Sequence, residues 1–273
     1  MKRLSSRANP LYKRLQRLAA GQAERAEPPG AAGQVVLLEG IHLCQAWLEH
    51  QGAPEMALFD EDKLESNPEV HALAQAVTSS AIQAVVLGAA LAKGLSQVPH
   101  GQGVFFLVRA PMPVMPQIID GNSLWLDRVQ DPGNVGTLLR TAAAAGIRAA
   151  YLSSTCASAW SPKVLRSAQG AHFVMRIYEN VNLVQAASRL HVPLLVTALE
   201  GAEPLYATPL PRQAAWVAGN EGGGVSPELL ALAHRRVFIP QMPGVESLNV
   251  AVAMAVCLFE QVRQHGLPAP GHA

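Results

Sequence analysis

Short apolar runs of strand length alternate along most of this chain with longer segments whose apolar positions recur at helical spacing. In the first half, Val35 to Leu38 reads as a strand and Ile41 to His50 as a helix with Leu43, Trp47 and Leu48 turned inward. Ala57 to Phe59, Ala84 to Leu87 and Val104 to Val108 read as strands, with His71 to Val77 a helix between them. Together they describe a small α/β domain over residues 1–110. Pro111, Pro113 and Pro116 then forbid a helix and favour an extended connection, so 111–120 is expected to be a linker and 121–273 a second domain.

The second half alternates more clearly. Ser123 to Asp127, Ala149 to Leu152, His172 to Tyr178, Leu194 to Leu199, Ala214 to Ala218 and Val237 to Ile239 read as strands. Between them fall helices over Val135 to Ala145, Pro162 to about Gln169, Leu183 to Leu190 and Pro227 to Ala233, two of which begin at Ser-Pro, a cap followed by proline at the first helical position. A C-terminal segment from Val250 has almost no polar side chain and is expected to be a buried helix. Strands this apolar, joined by helices, mean a mostly parallel sheet covered on both faces, and such sheets bind ligands beyond the carboxyl ends of their strands.

Composition narrows the class without naming a function. Of 273 residues, 49% are hydrophobic and 15% charged, which places the chain among folded globular proteins. A formal net charge of +1 makes no overall case for nucleic acid, but it conceals a pattern. Lys2, Arg3, Arg7, Lys13, Arg14 and Arg17 crowd the first twenty residues with no acid among them, while Glu39 to Glu69 is mostly acidic. The basic arm either touches phosphates or is a solvated amphipathic helix with Leu11, Leu15 and Leu18 on one side. Glu24 to Gly33, rich in proline, glycine, alanine and charge, reads as a loop. Cys44, Cys156 and Cys257 lie far apart and form no CxxC pair, so a reducing compartment is expected and neither a disulfide framework nor a metal is. No apolar run approaches the ~20 residues of a membrane helix, and the expected location is cytoplasmic.

Three loops at strand ends carry the candidate chemistry. In Asp131-Pro132-Gly133-Asn134-Val135-Gly136, Pro-Gly makes a turn and Asn134 is placed to cap the following helix, with Arg140 six residues on. Arg140 serves there as an anion contact or as a surface ion-pair partner. In Gly219-Asn220-Glu221-Gly222-Gly223-Gly224 the glycines suit a flat or neutral group held against backbone, with Glu221 accepting from a hydroxyl or opposing a cation; the spacing is neither that of a dinucleotide fingerprint nor of a P-loop. In Ile239-Pro240-Gln241-Met242-Pro243-Gly244-Val245-Glu246-Ser247-Leu248-Asn249, Ser247 and Asn249 either cap the C-terminal helix or face a ligand. Glycine, amide and carboxylate at three strand ends indicate a small-molecule site.

These loops, in this order, resemble the three motifs of the TrmH/SpoU-type RNA ribose 2'-O-methyltransferases of the SPOUT class: Asp131 to Gly136 with Arg140-Thr141-Ala142, then Gly219 to Gly222, then Ile239-Pro240 with Glu246 to Val250. Lys163 to Gly170 is similar to the family's intermediate basic segment, and the match spans nearly all of residues 120–262. Asn9-Pro10, Leu38-Glu39-Gly40 and Gly101-Gln102-Gly103 more loosely resemble the substrate-binding domain often found in this family, of the ribosomal L30e/L7Ae type.

The resemblance implies an α/β C-terminal domain closed by a deep trefoil knot, although knotted chains are rare. It implies S-adenosylmethionine held near Thr197, Ala198, Leu199, Gly219, Asn220, Gly222, Ile239, Pro240, Met242, Leu248 and Asn249. It implies a catalytic group of Asn134, Arg140, Glu221, Ser247 and Asn249, with Arg128, Arg140, Lys163 and Arg166 on RNA. A homodimer formed through the knotted domain is expected, as is ribosomal RNA before transfer RNA as substrate. Arginine keeps its proton to very high pH, so a phosphate clamp is the first role expected of Arg140, with that of base left open. The alternatives are a transfer-RNA 2'-O-methyltransferase, a relative that modifies a base, and a non-catalytic RNA-binding or ribosome-assembly protein on the same scaffold.

Overall fold

Alternation of apolar side chains by two leaves every second residue of a strand on a shared face, and the two sheets of this chain are built on that rule. A computed structural model describes residues 1–22, 24, 33–244 and 247–267. By its internal contacts the chain divides into two compact units, one of Met1–Met112 with Trp160–Leu165 and one of Pro113–Ala159 with Arg166–Ala273.

The first unit contains β1 (Lys2–Leu4), α1 (Pro10–Ala19), β2 (Val35–Glu39), α2 (Ile41–His50), β3 (Met56–Asp60), α3 (Glu61–Ser66), α4 (Pro68–Ser79), β4 (Ala84–Leu87), α5 (Ala89–Leu95) and β5 (Val104–Arg109). Its five strands lie in the order β1-β4-β3-β5-β2, mixed in direction because β5 runs antiparallel to both β2 and β3. Val35, Leu37, Met56, Leu58, Val85, Leu87, Phe105 and Leu107 turn to one face and pack against Tyr12, Leu15 and Leu18 of α1 and Leu91 and Leu95 of α5. The intervening strand residues are covered by α2 and α4, which contact each other and the sheet. Helix α2 buries Ile41, Cys44 and Trp47, a face turned by one position from the expected Leu43, Trp47 and Leu48; Leu43 and Leu48 are half-buried. The basic arm is β1 followed by α1, with Asn9 as a side-chain cap and Pro10 at the first helical position. Most of the loop expected over Glu24 to Gly33 lies outside the described residues.

The second unit contains β6 (Ser123–Leu126), α6 (Pro132–Ala144), β7 (Ala149–Leu152), α7 (Pro162–Ala168), β8 (Arg176–Tyr178), α8 (Leu183–Ala187), β9 (Leu194–Thr197), β10 (Glu203–Pro204), β11 (Ala215–Ala218), α9 (Pro227–Leu232), β12 (Arg235–Phe238) and α10 (Val250–His265), with α7 shared between the units. The seven strands are all parallel, ordered β10-β12-β9-β11-β6-β7-β8. Trp125, Tyr151, Tyr178, Val196 and Val217 face α8 and α9, and Tyr151 and Tyr178 stack with their rings 4.7 Å apart. The opposite face is covered by α6 and α10, where Trp216 donates from Nε1 to Gln261 Oε1 at 2.8 Å.

Three local expectations change. Residues 172–178 do not form one strand: Gly170 takes a left-handed conformation, Ala171–Phe173 make a 3-10 turn, and His172 is buried with Nε2 2.6 Å from Ala159 O. Ser226 begins α9 without a side-chain cap, its backbone N–H donating instead to Asp127 Oδ2 at 2.7 Å. The C-terminal helix is buried on one side only, since Val252 and Phe259 are 51% and 47% exposed. No helix among the described residues is long and apolar enough to cross a membrane.

Candidate active site

Strands β12, β9, β11 and β6 are neighbours, so in a parallel sheet the segments that leave their carboxyl ends emerge side by side. These are the loops read from the sequence, joined by the exit from β9. Each is shaped locally first. The loop after β6 turns into α6 at Pro132, which occupies the first helical position where no N–H is needed. Asp131, not Asn134, is the cap: its Oδ1 accepts from Asn134 N at 2.9 Å. The expected cap residue thus sits in the third helical position, and its side chain is released from the backbone.

That side chain links all three loops. Asn134 Nδ2 donates to Glu221 Oε1 at 3.0 Å, and Asn134 Oδ1 accepts from Asn249 Nδ2 at 2.9 Å. Asn249 is itself the cap of α10, its Oδ1 accepting from Ala251 N at 2.9 Å and Val252 N at 3.3 Å. Glu221 accepts further from Gln130 N at 3.2 Å and Asp131 N at 3.1 Å. Burial pushes the Glu221 carboxyl up, but the donors from Asn134, its own backbone, Asp131 and Gln130 outweigh it and hold the group below the usual carboxylate range. Its partners within the protein are therefore amides, and it also lines the cavity that these loops enclose.

The glycine loop is held from beneath. Asn220 Oδ1 accepts from Gly222 N and Gly223 N at 3.0 and 2.9 Å, while Asn220 and Gly224 exchange backbone hydrogen bonds. A Cβ on Gly219 would lie 2.3 Å from Gly224 C and Val225 N, so this position accepts no side chain without moving the loop. Arg128, in a left-handed conformation at φ 59°, receives Asn220 Nδ2 on its carbonyl at 2.9 Å and donates from Nη2 to Gly224 O at 3.3 Å. Its Nε lies 3.4 Å from Oδ1 of the buried Asp127. This Arg128 was expected on RNA; its side chain here spans from β6 to the glycine loop.

The loops enclose a cavity of about 500 Å3, within the size range of small-molecule sites. Of the residues expected around a cofactor, Thr197, Ala198, Leu199, Gly219, Asn220, Gly222, Ile239, Leu248 and Asn249 line it, and Glu221 and Ser247 join them. Pro240 and Met242 do not, Met242 being 80% exposed; Gln241 between them does. Sequence reading missed Val237, Phe238, Val225, Val250 and Ala253, which form apolar wall. Nothing in their local pattern distinguishes them from core residues. Arg140 stands exposed on α6, has no hydrogen bond or ion pair among the described residues, and is not part of the cavity wall. Lys163 and Arg166 lie one turn apart on α7, Lys163 exposed and Arg166 half-buried. Glu246 falls outside the described residues.

Comparison with known proteins agrees with this geometry. A family model described as the SpoU rRNA Methylase family matches residues 121–259. An uncharacterized tRNA/rRNA methyltransferase of Synechocystis is 35% identical over 96% of this chain and 93% of its own length. A 23S rRNA guanosine 2'-O-methyltransferase of Bacillus subtilis is 33% identical over 82% of this chain and 86% of its own. Among solved structures, that of an RNA 2'-O ribose methyltransferase superposes with a TM-score of 0.77 at 28% identity, covering 96% of this chain and 98% of the other.

Proposed function

The chain belongs to the SpoU rRNA Methylase family, and from that premise we propose that it methylates a ribose 2'-hydroxyl in RNA, with ribosomal RNA as substrate and S-adenosylmethionine as cofactor. The observation that carries the reading is the Asn249–Asn134–Glu221 chain of hydrogen bonds, which ties three loops around one cavity, with Arg140 exposed on α6. The wall suits the cofactor: Leu199, Ile239 and Leu248 offer apolar surface to a purine, and Thr197, Glu221 and Ser247 offer polar atoms to a ribose and an amino acid. When bound, the cofactor supplies an activated methyl group, which leaves the protein the tasks of placing the ribose and removing its proton.

Arg140 holds the phosphate beside the target ribose, since a guanidinium stays charged and presents a planar fork to phosphate oxygens. Asn134 carries no catalytic proton; it sets the spacing of the loops. Ser247, exposed at the rim of the cavity, contacts the substrate, and Lys163 and Arg166 hold RNA backbone.

We further propose that the second unit is knotted. The segment between β9 and β11 lies across the end of α10, with Leu210 N donating to Gln264 Oε1 at 2.8 Å, Gln264 Nε2 to Thr208 O at 3.1 Å and Gln261 Nε2 to Pro211 O at 2.9 Å. Such a covering loop is what a threaded C-terminus requires. A homodimer, burying Val252 and Phe259 of α10, accounts for apolar residues that one chain leaves exposed. The first unit, of the L30e/L7Ae type on this reading, is the RNA substrate-binding part.

The test is transfer of a labelled methyl group to unmodified 23S rRNA, with the product located by resistance to alkaline hydrolysis at the methylated ribose. Arg140→Ala is expected to lower transfer by about 100-fold while cofactor affinity stays within about twofold. Absence of transfer to unmodified ribosomal and transfer RNA by the native protein rejects the function; cofactor-independent RNA binding alone favours the ribosome-assembly alternative.

A further inference from the structure

The near-zero net charge conceals a partition inside the first unit. Leu4 packs with the α1 and α5 core, and alternation along β1 places Lys2 on that same face of the sheet. Arg7 precedes α1, Lys13 and Arg17 stand one above the other on its outer side, and Lys93 lies on α5, which Tyr12 ties to α1 by donating to Leu91 O at 3.1 Å. All five cations are exposed, and none has an ion pair or hydrogen bond among the described residues.

Among the described residues, the carboxylates near this layer are engaged. Glu24 pairs with Arg14 at 2.7 Å and Glu61 with Arg3 at 2.6 Å, while Glu39 accepts from Ser96 Oγ at 2.5 Å and Gln97 N at 3.1 Å. On the other side of the sheet, α2, α4 and the α3 helix packed on α4 expose Glu49, Asp62, Glu65 and Glu69 against a single lysine, Lys63. The acidic and basic stretches of the sequence therefore face away from each other across one sheet, and their charges cancel in the sum without cancelling in space.

We infer that the α1/α5 layer of the first unit is the surface that meets the phosphate backbone of the substrate RNA, and that the α2/α4 layer faces away from it. The inference rests on the proposed RNA methyltransferase activity and assigns a face to its substrate. Charge complementarity selects the occupant: phosphates lie at regular spacing along a backbone, and each one neutralised releases counterions, contributing a salt-dependence slope of about 0.7–0.9. An acidic peptide could use the same cations, and the probe below separates the two.

The experiment compares the full-length protein with a charge-reversed Lys13→Glu/Arg17→Glu/Lys93→Glu variant, a milder Lys13→Gln/Arg17→Gln/Lys93→Gln variant, and a control on the opposite layer, Glu65→Gln/Glu69→Gln. The probe is unmodified 23S rRNA transcribed in vitro, with affinity read over a range of salt concentrations and cofactor affinity read separately. The reversed variant is expected to bind RNA at least about tenfold more weakly and to reduce the salt slope by about two to three; the glutamine variant should follow in the same direction. Cofactor affinity and the control should match the native protein. Native-like RNA affinity and slope in both α1/α5 variants would overturn the assignment while leaving the methyltransferase function standing. If the native protein neither binds nor methylates RNA, the function itself fails and the assignment goes with it.

Discussion

Replacing Asn134 by aspartate changes one atom at the centre of the site and turns a donor into an acceptor. The native Nδ2 lies 3.0 Å from Glu221 Oε1, so the variant sets two carboxylates at that separation. By Coulomb's law a pair of like charges 3 Å apart repels by about 1.4 kcal/mol in water and by about 5.5 kcal/mol at an effective dielectric of 20. Glu221 is exposed, so the water limit governs and salt reduces it further; with the lost hydrogen bond added, the cost is about 2 kcal/mol. The bond from Asn249 survives, because aspartate keeps an acceptor toward it. Calorimetry at about pH 7.5 should therefore show cofactor affinity reduced by about 10- to 30-fold in Asn134→Asp. Two carboxylates sharing a site raise one another's proton affinity, and a single proton between them restores an attraction. The defect should shrink as pH falls toward about 5, whereas the defect of Asn134→Ala should not. Native-like affinity in Asn134→Asp, or a defect that does not change with pH, would refute the view that this contact holds the loops in register.

Two further outcomes follow from particular contacts. Gly219→Ala drives a methyl group into backbone 2.3 Å away, a clash of the kind that costs about 1–3 kcal/mol; a lowered melting temperature and weakened cofactor binding are expected, while Gly223→Ala, whose nearest neighbour would be 3.5 Å away, should bind as the native protein does. Burial lowers the His172 pKa from 6.5 to about 4, opposed by its bond to the Ala159 carbonyl. Below 6.5 the unfolded chain binds a proton that the folded chain refuses, so this contribution is complete above 6.5 and is lost as pH falls to about 4. Denaturant unfolding should show a loss on the order of 3 kcal/mol across that window, and His172→Gln should flatten it.

The sequence by itself determined the layered α/β class, the three strand-end loops and nearly every element of the second unit, because strand alternation, proline turns and glycine runs act over a few neighbouring residues. It also carried the ordered motifs that identify the family. It misplaced what depends on competition between neighbours: Asp131 takes the cap expected of Asn134, and Gly170 with the buried His172 breaks the strand expected over 172–178. Only the tertiary structure decided that β11 lies between β6 and β9, which sets the glycine loop beside Asn134, and only it turned Asn134 from a helix cap into the bridge between Glu221 and Asn249. It likewise separated the basic α1/α5 layer from the acidic helices across the first sheet. Those facts depend on which distant segments share a core, and strand order is chosen by the burial of whole faces, a quantity that no short window of sequence contains.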